Sequence, residues 1–195
     1  DKNTGKVLWT DNSPGKNIPH VQWSSPTVAM LGRVPQVIFG GGDGWVYSFK
    51  ADKKKELLWK FDINEKESIL ELGGRGTRND IISTPVVYDN KVYFCTGQDP
   101  EHGEGDGTLW CIDPLKRGDI SEKLAVNREN PKKPIPVKRV QAVVEAEGDL
   151  AIANPNSGVV WKFTGYDANG DGQIKGFEEK FHRSISTVVI KNDLL

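Results

Sequence analysis

The chain has 195 residues, enough for one domain of ordinary size with a real core. Its 26 Lys and Arg against 27 Asp and Glu leave a net charge of -1, which excludes a general basic field for nucleic acid and an acidic tail. Six Trp, seven Phe and four Tyr argue against disorder, and no apolar run approaches the roughly 20 residues of a membrane span. Gly at 21 and Pro at 11 imply many turns. Two Cys cannot make a disulfide framework.

Taken in chain order, four short elements recur. Gly5-Lys6-Val7-Leu8-Trp9 ends on a tryptophan. Trp23-Ser24-Ser25-Pro26-Thr27-Val28 then opens a β-rich run, and residues 35–40 form a second. A Gly-rich turn leads into Asp43-Gly44-Trp45-Val46-Tyr47-Ser48-Phe49, and Glu56-Leu57-Leu58-Trp59 closes the unit on tryptophan again. The same order returns as Ile82-Ser83-Thr84-Pro85-Val86-Val87, residues 90–95, residues 106–113 and Gly158-Val159-Val160-Trp161. Ile185-Ser186-Thr187-Val188-Val189-Ile190 starts it once more, with residues 193–195 beginning a second element. Helical periodicity is absent apart from a turn or two near 177–181.

Four short strands per unit, with glycine and aromatic punctuation, predict an all-β chain. The expected fold is a partial β-propeller of four-stranded antiparallel blades, two of them full and two in part. Residues 1–9 are expected as the last strand of a preceding blade. Residues 22–62 form one blade, 81–163 a second with an insertion at 114–157, and 184–195 the start of the next. The chain thus reads as a fragment of a longer protein whose remaining blades would be its neighbours. A sandwich of unrelated short strands is the competing fold.

The pattern Asp1-x-x-Thr4-Gly5-Lys6-x-x-Trp9 resembles the tryptophan-docking repeat of the PQQ-like (quinoprotein alcohol dehydrogenase-like) β-propeller family, and Ala51-Asp52 to Trp59 is a degenerate copy. The resemblance implies a structural task for Trp9, Trp59 and Trp161, packed between neighbouring blades. It also implies a periplasmic or extracellular protein, although these residues contain no signal peptide. Two functions are compatible with the family: a cofactor-free module for binding or scaffolding, and a PQQ-dependent dehydrogenase acting on alcohols or sugars. The dehydrogenases carry a vicinal Cys pair above the quinone, whereas Cys95 and Cys111 are not vicinal. Their metal ligands and catalytic Asp have no match either, so catalytic and quinone-binding residues stay unassigned.

Alternating strand directions put the turns at 10–21, 40–44, 63–80, 97–107 and 164–183 on one face, where a protein or small-molecule partner would bind. The 114–157 connection is expected on the opposite face. In the last of the shared turns, Asp167-Ala168-Asn169-Gly170-Asp171-Gly172-Gln173-Ile174-Lys175-Gly176-Phe177-Glu178 fits a calcium-binding EF-hand-like loop. Asp167, Asn169 and Asp171 offer alternating oxygens, Gln173 its carbonyl and Glu178 two closing oxygens. The run of β residues ending at Phe163 stands where an EF-hand has its first helix, and Lys175 fills the ninth position. A calcium loop and a plain turn are both open readings.

A second loop gathers Asp99, Glu101, His102, Glu104 and Asp106, a cation site or a solvated turn. A third, residues 73–80, has the glycine and arginine to meet an anion, or Arg78 pairs with Asp80 or Asp99. Residues 131–139 are Pro-rich and basic, hence extended. Cys95 and Cys111 lie in adjacent strands, either as a disulfide or as small buried groups. His20, His102 and His182 belong to the loop face, but no triad motif joins them.

Overall fold

The computed structural model describes residues 1–19, 21–71, 76–98, 105–136 and 142–195. The described chain is all-β. Beside its strands it has only three single-turn 3-10 helices, among them Gly15–Asn17 and Phe177–Glu179.

Strands β1 (Thr27–Leu31), β2 (Val34–Gly40), β3 (Trp45–Lys50) and β4 (Leu57–Asp62) form an antiparallel meander in chain order. The second meander consists of β5 (Val86–Tyr88), β6 (Lys91–Thr96), β7 (Thr108–Ile112) and, far along the chain, β12 (Val159–Phe163). Each unit opens with a two-residue hairpin. Gly32 and Arg33 (φ 53° and 70°) turn the first, and Asp89 and Asn90 (φ 44° and 54°) the second. Two consecutive left-handed residues give the turn twist that matches the strands.

Side-chain alternation then decides the packing. Ile38 and Val46 on one face of the first sheet join Val92, Phe94, Trp110 and Ile112 of the second in one buried cluster. Phe61 of β4 sits edge-on to Phe94 at 5.9 Å and to Trp110 at 5.1 Å between ring centroids, so the two sheets meet face to face through aromatic rings. Trp59 is 0% exposed in the same cluster. Its indole N–H donates to Gln36 Oε1 at 2.9 Å, an oxygen that also accepts the Ser48 hydroxyl at 2.7 Å.

The opposite face of the first sheet carries Trp45, Tyr47 and Phe49 with Val37 and Phe39, covered by Trp9. Trp9 stands 5.6 Å from Phe49 and donates to the Asp52 carbonyl at 3.0 Å. Trp161 holds the place in β12 that Trp59 holds in β4, opposite Cys111 as Trp59 is opposite Ser48. It leans on Tyr93 and stays 39% exposed.

Two expectations need correction. Residues 5–9 and 184–195 form no strands among the described residues; Lys191 and Leu194 make an isolated bridge. An extended segment becomes a strand only where a ladder partner takes its N–H and C=O groups, and neither segment has one. The 114–157 connection, in turn, begins and ends opposite the loops, where Leu115 lies against Gly32 and Asn156 bonds the Arg117 carbonyl, but its middle does not stay there. Its first strand, β8 (Gly118–Asp119), pairs in parallel with the outer edge of β4. From there the chain reaches the end of β4 and forms a small sheet of β9 (Lys123–Asn127), β10 (Asn130–Pro134) and β11 (Asp149–Ala153). Lys123 meets Glu65 at 2.7 Å and the Val143 N–H donates to the Lys66 carbonyl at 3.0 Å, which ties the insertion to the 63–80 loop. An edge with unpaired backbone groups and a burial site for Ile120 explain the detour.

Candidate functional site

The loops of one rim touch in sequence. The Arg78 guanidinium donates to the Asp43 carbonyl at 3.2 Å, which joins the 63–80 loop to the 40–44 turn. Asp80 and Gly97 exchange backbone bonds of 2.8 and 3.2 Å, which brings in the 97–107 loop. Asp106 bridges to His182 and its carboxylate takes the Lys180 ammonium at 2.8 Å, which brings in 164–183. A Cβ on Gly97 would stand 2.3 Å from Arg183 Cβ, so only glycine permits this approach. The segment at 10–21 lies against the 40–44 turn, since a Cβ on Gly42 would stand 2.3 Å from the Val21 carbonyl oxygen.

The loop at 167–178 folds around Asp167. One carboxylate oxygen accepts the Gly170 N–H at 2.7 Å and that of Asp171 at 3.2 Å; the other accepts Gly172 N–H at 2.7 Å. Asn169 Oδ1 accepts the Asp171 N–H at 2.8 Å, and Asp171 Oδ1 that of Gln173 at 2.8 Å. Each oxygen-bearing side chain thus caps the backbone two to five residues on. Gly165 and Lys180 bridge beneath the loop and close it. Sequence reasoning missed Glu179. Its carboxylate, beside Glu178, accepts the N–H groups of Lys175 and Gly176 at 3.0 and 3.1 Å.

These donors act on ionisation. The Gly172 N–H leads in holding the Asp167 carboxyl below its ordinary 3.8, and those of Lys175 and Gly176 hold Glu179 below its ordinary 4.5. A depressed carboxyl pKa contributes stability that is complete above the unfolded value and is lost as pH falls through the folded one. The amide resonance of Gly172 is therefore expected to titrate with a midpoint below 3.8 and that of Gly176 with a midpoint below 4.5. A midpoint above these values for either amide contradicts this.

Other expected groups fall out differently. Asp99, Glu101, His102 and Glu104 lie outside the described residues, as do His20 and residues 73–75. Asp106 pairs with Lys180. His182 shares a 2.7 Å hydrogen bond with the Phe177 carbonyl. Among the described residues, no three His, Cys, Asp or Glu side chains converge as a metal-holding group. Cys95 faces Leu109 in the ladder and Cys111 faces Tyr93, so the two are diagonal, and both are free buried thiols. Burial pushes the Cys95 thiol up to about 11.

Two interior features carried no sequence signal. Asp62 and Lys66 form a 2.6 Å ion pair with both side chains 4% exposed, and the Lys66 and Lys60 ammonium groups stand 4.9 and 4.4 Å from the Trp45 ring centroid. Their four-residue spacing has no helix to give it meaning. The second is a cleft of about 370 Å³ where the two sheets part at the rim, lined in part by Asn64, Glu67, Ser68, Thr108, Trp110 and Thr164. It is assembled from residues far apart in the chain.

The chain matches no family model, and no curated protein matches it.

Proposed function

We propose that the chain is part of a PQQ-like β-propeller that serves as a binding or scaffolding module, with a structural calcium loop on its partner-facing rim. The observation that carries the reading is the stacking of two four-stranded antiparallel meanders with Trp59 sealed between them. Successive blades of a propeller would pack in this way, each closing tryptophan lying under the next sheet. The contact between β1 and β5, where Thr27 Oγ1 donates to the Pro85 carbonyl at 2.5 Å, supports first strands that gather toward a common axis. By the family resemblance such a module would work in the periplasm or outside the cell.

The cysteines favour the cofactor-free branch of the family. They are buried on adjacent strands and form no vicinal cap over a quinone. No step through pyrroloquinoline quinone is derived.

The donor chemistry of the 167–178 loop suits calcium. Asp167, Asn169 and Asp171, the Gln173 carbonyl and Glu178 supply only hard oxygens, and Gly172 in the left-handed region (φ 79°) makes the sharp turn that the sixth position requires. The ion would tighten the loop and, through the Asp106–Lys180 contact, the neighbouring turn. No second loop of this kind is seen to pair with it among the described residues, which favours tightening over sensing. Calorimetric titration with calcium should give one binding event for the wild type and a strongly weakened one for Asp171→Ala. Identical flat traces for both proteins remove the calcium assignment.

A further inference from the structure

The insertion folds over the far face of the first sheet at Trp45, and a small cavity of about 20 Å³ remains between them. Trp45, Asp62 and Lys66 form its deep end, at 4, 5 and 3% exposed. Arg78, Asp119 and Ala125 line it as well.

Hydrogen-bond donors outnumber acceptors at the deep end. The Trp45 indole N–H is buried, and no protein group accepts from it. The Lys66 ammonium has three N–H groups, yet among the described residues only the Asp62 carboxylate accepts from it, at 2.6 Å. Its other close neighbour is the Trp45 ring, whose centroid is 4.9 Å away and offers no oxygen. The second Asp62 oxygen is taken by the Asn64 N–H at 3.0 Å. Asp119 binds the Ser121 N–H and hydroxyl through one oxygen, at 3.0 and 2.6 Å, which leaves its other oxygen to accept. Buried donors without acceptors are costly and uncommon, so an oxygen belongs between Trp45 and Lys66.

Size and charge decide which oxygen. An apolar group would leave the donors stranded. A cation would face the indole N–H and two cationic side chains. An anion would face Asp62 and Asp119, which balance Lys66 and Arg78 charge for charge. A molecule with a carbon skeleton is too large for about 20 Å³. A buried water needs about 10–15 Å³ and two to four polar partners, and it both accepts and donates. We propose that this cavity binds one long-lived water molecule, which accepts from the Trp45 indole and the Lys66 ammonium and donates to the Asp119 carboxylate. The water hydrates the enclosed Asp62–Lys66 pair and joins the insertion to the first sheet through hydrogen bonds as well as apolar contact.

The Trp45 indole proton and the water oxygen are the reporters. In the whole chain labelled with ¹⁵N, Trp45→Phe identifies its signal among the six tryptophan side-chain resonances. The cross-peak from that proton to water is expected with opposite signs in laboratory-frame and rotating-frame Overhauser spectra, the mark of a bound water as against proton exchange. Oxygen-17 relaxation dispersion, which proton exchange does not affect, is then compared for the wild type, Ala125→Leu and Ala142→Leu, two changes that fill the cavity. The long-lived water signal should fall by about one molecule in each variant that keeps its tryptophan resonances dispersed. A missing cross-peak, equal signs in the two spectra, or unchanged dispersion in the folded variants overturns the proposal. So does a saturable shift of the Trp45 resonance with sodium chloride that sodium acetate does not reproduce, which makes the occupant chloride. Should neither filled variant fold, the cross-peak signs decide alone. None of these results depends on calcium or on a propeller, so failure here is distinct from failure of the proposed function.

Discussion

Trp59→Ala is expected to lower stability by about 3–5 kcal/mol, the loss seen when a large aromatic is cut from a core. Three features place it at the upper end of core substitutions. The side chain is wholly buried, and it lies in the cluster shared by both sheets. Its N–H is also one of two donors to Gln36 Oε1, whose own amide nitrogen has no partner and is buried. Removing the indole leaves a cavity beside an amide that is already half satisfied. The matching change Trp161→Ala should cost about 1 kcal/mol or less, because that ring is 39% exposed and rests mainly on Tyr93. Denaturant unfolding of the two variants side by side measures the contrast. Equal losses would mean that the tryptophans play equivalent parts.

Lys66→Met is the second large expectation, at about 3–5 kcal/mol. Among the described residues the Asp62 carboxylate would keep only the Asn64 N–H at 3.0 Å, and a buried charge without its partner is far costlier than the intact pair is stabilising. Asp62→Asn should cost a comparable amount, since it strands the Lys66 ammonium above Trp45. The double variant Asp62→Asn with Lys66→Met removes both charges and keeps an oxygen for the Asn64 N–H. It should recover most of the loss. Chemical denaturation of the three variants forms a double-mutant cycle, and additive losses would show that the two groups are not coupled. Because the pair is enclosed, the coupling should change little with added salt.

Much of the first meander can be read from its residues. Trp45 to Phe49 alternate aromatic and small or branched side chains, and the Gly-rich turn before them sets where β3 begins. Trp59 closes its unit because the same spacing recurs at Trp161. The outer parts were legible in composition but not in structure. Residues 5–9 have the side chains of a strand, yet a strand also needs a partner that no local pattern supplies. The path of the insertion depends on the free edge of β4, a property of the assembled sheet and not of residues 114–157. The candidate sites divide in the same way. The 167–178 loop is contiguous, so its oxygens are visible as a motif. Glu179 was overlooked because its contact with Lys175 and Gly176 arises only when the chain turns back. The Asp62–Lys66 pair and the cleft at Trp110 draw on separate segments, and nothing in the order of residues announces them.

The face-to-face stacking of the two sheets, on which the shared rim and the cleft both rest, is open to one direct measurement. Nuclear Overhauser spectra of protein with labelled aromatic rings should show cross-peaks from the Phe61 ring to those of Phe94 and Trp110, whose centroids lie 5.9 and 5.1 Å away. Ladder contacts within each meander, with Phe61 silent toward both rings, would contradict the stacking.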